Sequence, residues 1–110
     1  MFEIDKNVIT MTRGDTGRFS VVVYEPELDP ITRKPVVYTP QEGDVITFTV
    51  KKHAGAPIMI TKNGPDIVLN PSDTANLANG KYVYDVDITL ANGDVNTIIT
   101  ESPFLLGVNV

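Results

Sequence analysis

The residues able to do chemistry are few, and their spacing argues against most of the chemistry they could do. His53 is the only histidine and there is no cysteine, so a multi-histidine metal site, a thiolate site and a cysteine nucleophile are all excluded. A serine hydrolase would have to recruit His53, yet Ser20, Ser72 and Ser102 lack the Gly-x-Ser-x-Gly elbow. Asp85 and Asp87 alternate along one strand face, and Asp44, Asp66, Asp73 and Asp94 fall beside turns. Calcium needs several oxygens converging on one point, and no loop spaces its acids like an EF-hand. Solvated carboxylates are the simpler reading. Two carboxylates for glycoside hydrolysis need a substrate cleft, for which 110 residues leave little room. Gly14-Asp15-Thr16-Gly17 lacks the spacing and the lysine of a phosphate-binding loop. Arg13-Gly14-Asp15 matches the integrin tripeptide, although Gly-Asp between strands is ordinary turn material. The expectation is therefore a protein that is not an enzyme, with no cofactor, no metal and no small-molecule substrate.

Charge and hydropathy narrow the partners. The formal net charge is −5, and the nine Lys and Arg are scattered with no run beyond Lys51-Lys52, a poor match to a phosphate backbone. Nucleic acid is not expected. The opening Met-Phe-Glu-Ile-Asp has neither a basic nor an apolar leader region, and no apolar run is long enough to cross a bilayer. Cytoplasmic synthesis without membrane insertion is the expectation.

The elements are legible from periodicity. Tyr82, Tyr84, Val86, Ile88 and Leu90 alternate with Val83, Asp85, Asp87 and Thr89, the period of a half-buried strand. Asn92-Gly93 then predicts a hairpin. With a two-residue loop, Leu90 faces Val95, Ile88 faces Thr97 and Val86 faces Ile99. Further strands are expected at 8–11, 18–24 and 45–52, with Ile46, Phe48 and Val50 on one side of the last. The segment 25–43 holds four prolines and reads as an extended excursion with at most a short edge strand at 36–39. A second hairpin is expected over 58–69, pairing Thr61 with Asp66, Ile60 with Ile67 and Ile58 with Leu69. Its other face would carry Met59 and Val68. Asn70-Pro71-Ser72-Asp73 reads as a helix start and Gly80 as its stop, giving one or two turns over 71–78. Ser102-Pro103 is expected to interrupt the last strand before Phe104-Leu105-Leu106. The sum is an all-β domain over 1–110: a β-sandwich of about seven to eight antiparallel strands and one short helical turn.

Within that class, Leu77-Ala78-Asn79-Gly80-Lys81-Tyr82-Val83-Tyr84 resembles the tyrosine corner of immunoglobulin-like domains, with Tyr82 as the corner and Tyr84 at the core position. Arg13–Phe19, Gly43–Lys51, Pro71–Val86 and Gly93–Ile98, in that order, resemble the immunoglobulin-like N-terminal domain of phage baseplate upper proteins and related small prophage structural proteins. That resemblance covers about Val8 to Leu106. It implies an immunoglobulin-like β-sandwich acting as an assembly or attachment module in a phage tail, with no catalytic residues to carry over. Two departures stand out: the family's domain is usually followed by a coiled coil and a receptor-binding part, and the excursion at 25–43 has no counterpart in the pattern. A stand-alone tail or capsid component, or a prophage remnant, fits these departures.

The expected function is a non-enzymatic structural module of a phage or prophage, working through contacts with other virion proteins or with further copies of itself. Once assembled, it would reside in the virion. The expected contact residues are Val36, Tyr38, Met59, Val68, Phe104 and Leu106. The alternative is a carbohydrate- or cell-surface-binding adhesion module. The chain has no Trp and four Tyr; with Tyr82 and Tyr84 inward, only Tyr24 and Tyr38 could form an aromatic platform.

Overall fold

The computed structural model describes residues 2–24 and 29–107; residues 25–28, which open the proline-rich excursion and include Pro26 and Leu28, lie outside the described residues. The chain is all-β. Among the described residues ten strands run in order: β1 (Phe2–Asp5), β2 (Val8–Met11), β3 (Gly17–Ser20), β4 (Val23–Tyr24), β5 (Val37–Tyr38), β6 (Val45–Lys51), β7 (Ile58–Asn63), β8 (Asp66–Leu69), β9 (Gly80–Thr89) and β10 (Val95–Leu106), with α1 (Pro71–Thr74) after β8. Six strands form one sheet in the order β1-β2-β10-β9-β6-β7, and β3 with β8 and β4 with β5 form two short ladders. All pairs are antiparallel except β2 with β10, where Ile9 to Met11 run parallel to Phe104 to Leu106.

One core joins these pieces. Phe48 and Val50 from β6, Tyr82, Tyr84, Val86 and Ile88 from β9, Phe104 and Leu106 from β10, and Ile9 and Met11 from β2 bury their side chains together with Ile67 and Leu69 of β8. Phe19 of β3 sets its ring edge against Phe48, centroids 5.3 Å apart at 73°. The β3–β8 ladder therefore packs over the apolar face of the six-stranded sheet. The alternation anticipated in β9 is observed: Tyr82, Tyr84, Val86 and Ile88 are buried, and the residues between them are half-buried.

Several features depart from the sequence expectations, beginning with ten strands and one parallel pair where seven to eight antiparallel strands were expected. The β9–β10 hairpin forms, but its loop has three residues. Leu90 donates its amide to the Asp94 carbonyl (2.7 Å), and Gly93 donates to the Leu90 carbonyl (2.8 Å). Only Gly93 of this loop has a positive φ, 95°, so the turn is the type that ends in a left-handed glycine. The Asp94 amide bonds the Asn92 side chain (2.9 Å) and helps hold that shape. Ile88 consequently faces Asn96, not Thr97, and Val95 is paired with Thr89 and left exposed. An irregularity between Thr97 and Ile99 then adds one residue to β10 and restores the expected pairing of Val86 with Ile99.

The expected 58–69 hairpin does not form. β7 pairs with β6 (Ile60 with Val50) and β8 with β3 (Ile67 with Phe19). Pro65 has no amide to close a tight turn. Its carbonyl instead accepts from the Val21 amide (2.7 Å), while Gly64 donates to the Ile46 carbonyl (2.9 Å). The connection thereby bridges the two sheets, and Met59 and Val68 share no face. Nor does Ser102-Pro103 interrupt the last strand. Pro103 sits inside β10 opposite Val83, and β2 joins the far side only from Phe104 onward, so the ring occupies a stretch with a neighbour on one side.

The helix is shorter than anticipated. Its start is as read: Pro71 occupies the first turn, and the Asp73 carboxylate accepts from the Asn70 amide (2.7 Å). Past Thr74 the chain turns into the Tyr82 corner, where the Tyr82 hydroxyl donates to the Ala78 carbonyl (2.7 Å). Tyr84 makes a second pin that periodicity does not reveal: its hydroxyl donates to the Asn7 carbonyl (2.6 Å). This ties β9 to the β1–β2 turn, where Lys6 and Asn7 both have positive φ. Tyr82→Phe is expected to lower unfolding free energy by about 0.5–1.5 kcal/mol, the net worth of one hydrogen bond. Urea denaturation measures it, and an unchanged midpoint contradicts the corner.

Candidate contact surfaces

One side of the molecule holds an apolar groove of about 450 Å³. One wall is Phe19 to Val22 and Tyr24, leading through β3 into β4; the other is Ile98 and Ile99 of β10, with Ile4 and Asn7 at the β1–β2 turn. It exists because β10 has β2 beside it only from Phe104 to Leu106. From Val95 to Pro103 its side away from β9 pairs with no described strand. Val22 (52% exposed) and Tyr24 (56%) present apolar surface at its mouth, and the hydroxyl of Tyr84 closes its floor against Asn7. Burial pushes the Tyr84 phenol above its ordinary value.

The structure divides the anticipated contact residues. Met59 and Val68 are exposed, Met59 on the edge strand β7 and Val68 on β8. Val36 is half-buried. Tyr38 is also half-buried, its hydroxyl donating to the Asp44 carboxylate. Phe104 and Leu106 require correction. They are 0% and 1% exposed and lie in the core, because β2 and β9 flank this part of β10 on both sides. Neither residue can meet a partner. Ile31, 90% exposed, and Ile4, Val22 and Ile98 were missed. Ile31 had a signal in the sequence, an isolated isoleucine among prolines and charges. The groove residues had none, since strand pairing alone decides which apolar positions stay open.

Asp44 acts as a tie between segments. Its carboxylate accepts from the Tyr38 hydroxyl, the Gln41 amide (2.8 Å) and the Ala91 amide (3.0 Å). The Tyr38 bond, then the Gln41 amide, hold its pKa below the ordinary carboxylate value. It contributes stability above that ordinary value, lost as pH falls through the depressed one. The Arg13-Gly14-Asp15 turn is likewise fastened down. The Gly14 amide donates to the buried Thr74 hydroxyl (2.8 Å), and the Arg13 guanidinium donates to the Leu77 carbonyl (3.3 Å). The arginine of that tripeptide is thus folded back onto the segment after α1.

On the outer face of the six-stranded sheet, desolvation raises the pKa of Asp85, Asp87 adds to the rise, and Lys51 opposes it. The neutral form is favoured in the fold, so ionised Asp85 opposes folding once pH exceeds the unfolded value. Asp85→Asn is expected to raise the melting temperature at pH 7, and the gain should vanish under acid where the carboxyl is already protonated. Thermal melts at the two pH values check this; a loss of stability at pH 7 contradicts it. His53 is exposed in the β6–β7 turn, the Ser20 hydroxyl donates to Asp66 (2.7 Å), and that of Ser102 donates to the Thr100 carbonyl (2.8 Å). Among the described residues no group of three or more His, Asp or Glu is placed to hold a metal ion, and no helix is long and apolar enough to cross a membrane.

Compared with known proteins, the chain matches no family model, no curated protein and no solved structure.

Proposed function

We propose that this chain is an immunoglobulin-like β-sandwich that serves as a non-enzymatic assembly module of a phage or prophage tail, acting through its surfaces. The observation that carries the fold reading is the Tyr82 hydroxyl on the Ala78 carbonyl, at the start of a strand flanked by β6 and by β10, which in turn runs parallel to β2. A tyrosine corner in that strand order is an immunoglobulin-like arrangement. The phage assignment adds the sequence resemblance, whose pieces fall on the β2–β3 turn, β6, the α1–β9 segment and the β9–β10 hairpin.

Assembly is favoured over adhesion by what the surface offers. The groove is apolar and bounded by an open stretch of β10, features that suit polypeptide better than sugar. Of the two tyrosines available for a sugar platform, Tyr38 is engaged by Asp44, leaving Tyr24. The test is to induce the phage, purify particles and quantify this chain in them by mass spectrometry. Stoichiometric recovery with the tail fraction is the expected result. Its absence from purified particles, or hits on a glycan array at micromolar concentration, overturns the assignment.

A further inference from the structure

Asn-Gly occurs three times in the chain, at 63–64, 79–80 and 92–93. In such a pair the glycine amide nitrogen, unshielded by any Cβ, can attack the side-chain carbonyl carbon of the asparagine before it. The fold separates the three sites. Gly64 donates its amide to the Ile46 carbonyl (2.9 Å), and Asn63 pairs with Thr47 in the β6–β7 ladder. Gly80 pairs with Leu106 in the β9–β10 ladder, and the Asn79 side chain lies against Gly107. Ile46 and Leu106 are core residues, so freeing either pair disturbs the core.

Asn92-Gly93 is held by much less. Residues 91–97 are all exposed, and the Gly93 amide is held by the Leu90 carbonyl (2.8 Å). Opening that turn uncovers no core residue, and exposed loop tips open at the low end of the free-energy scale. The side chain is already polarised: Asn92 Oδ1 accepts from the Asp94 amide (2.9 Å), and Asn92 Nδ2 donates to the Asp94 carboxylate (3.3 Å). We infer that Asn92 is a site of spontaneous deamidation in the folded protein, and that its isoaspartyl product dismantles the β9–β10 turn. Once the turn opens and hydroxide takes its proton, the Gly93 nitrogen bonds to Asn92 Cγ. The charge passes to Oδ1, beside the Asp94 N–H. The Cγ–Nδ2 bond then breaks, the nitrogen takes a proton from water and leaves as ammonia, and a five-membered imide remains. Water opens that imide at either carbonyl, giving aspartate or isoaspartate. Isoaspartate adds a carbon to the main chain of the loop, so the Leu90–Asp94 and Gly93–Leu90 bonds lose their spacing. Either product sets a new carboxylate next to Asp94 and beside Ala91, whose amide Asp44 holds (3.0 Å), in a chain already at −5. This site is independent of the assembly reading.

The experiment is to incubate the folded chain in mildly alkaline buffer and follow amide-to-acid conversion at each asparagine by peptide mapping with mass spectrometry. Asn92 should convert at least about tenfold faster than Asn63 and Asn79, the factor that about 1.4 kcal/mol of additional opening free energy gives. In concentrated urea the fold no longer protects any pair, and the three rates should converge. The isoaspartyl chain, separated by ion exchange, should melt below the Asn92→Asp variant, which carries the same charge on an unaltered main chain. Asn63 or Asn79 reacting first in the folded chain, a preference for Asn92 that persists unchanged in urea, or an isoaspartyl chain that melts with the variant each overturn the proposal.

Discussion

Phe104→Ala should cost about 3–5 kcal/mol of unfolding free energy, the range for emptying a buried phenylalanine site. Domains of this kind have only about 5–15 kcal/mol in total, so the variant will be barely folded at physiological temperature. Phe104 is fully buried, pairs with Tyr82 on β9 and faces Ile9 on β2. Met59→Ser, on the free edge of β7, should stay within about 1 kcal/mol of wild type, as exposed substitutions do. Urea denaturation distinguishes the two. If Phe104→Ala unfolds at nearly the wild-type midpoint, the side chain is not in the core and the placement of β10 is wrong.

Phe48→Ala is the second large effect, also about 3–5 kcal/mol. Phe48 lies between the layers: Phe19 meets it edge-on from β3, and Tyr84 lies 5.5 Å away on β9. Phe2 extends the stack by lying flat on Phe19, centroids 5.8 Å apart. A double-mutant cycle of Phe48→Leu with Phe19→Leu should give a coupling of about 0.5–1.5 kcal/mol, the value for an aromatic pair in contact. Additive effects would mean that the β3–β8 ladder does not pack on the six-stranded sheet.

The same residues show how far the sequence could be read. Strand β9 was legible in full, because its tyrosines and aliphatics alternate with Asp85 and Asp87 over a whole strand. The Tyr82 bond to the Ala78 carbonyl was anticipated only through the resemblance of Leu77–Tyr84 to the tyrosine corner of immunoglobulin-like domains. The β1 strand was not: its Glu3 and Asp5 alternate with Phe2 and Ile4 in only four residues, too short a run to distinguish from a tail. Phe104 and Leu106 were misplaced because their cover, β2, comes from the other end of the chain, and parallel pairing at that separation leaves no local mark. The 58–69 hairpin was misread for a related reason. Apolar positions on both strands look the same whether they line one sheet or, as here, two sheets facing one core. The groove arises only from where β2 stops along β10.

Everything about the contact surfaces depends on β2 lying parallel to β10 and covering only its last residues. Backbone nuclear Overhauser effects on labelled protein test this pairing directly. The structure predicts cross-strand contacts between the amide and α protons of Ile9, Thr10 and Met11 and those of Phe104, Leu105 and Leu106 in ascending order, with none from β2 to Val95–Glu101. Contacts in descending order, or contacts reaching Thr97 and Ile99, would close the groove and contradict both the strand order and the assembly role built on it.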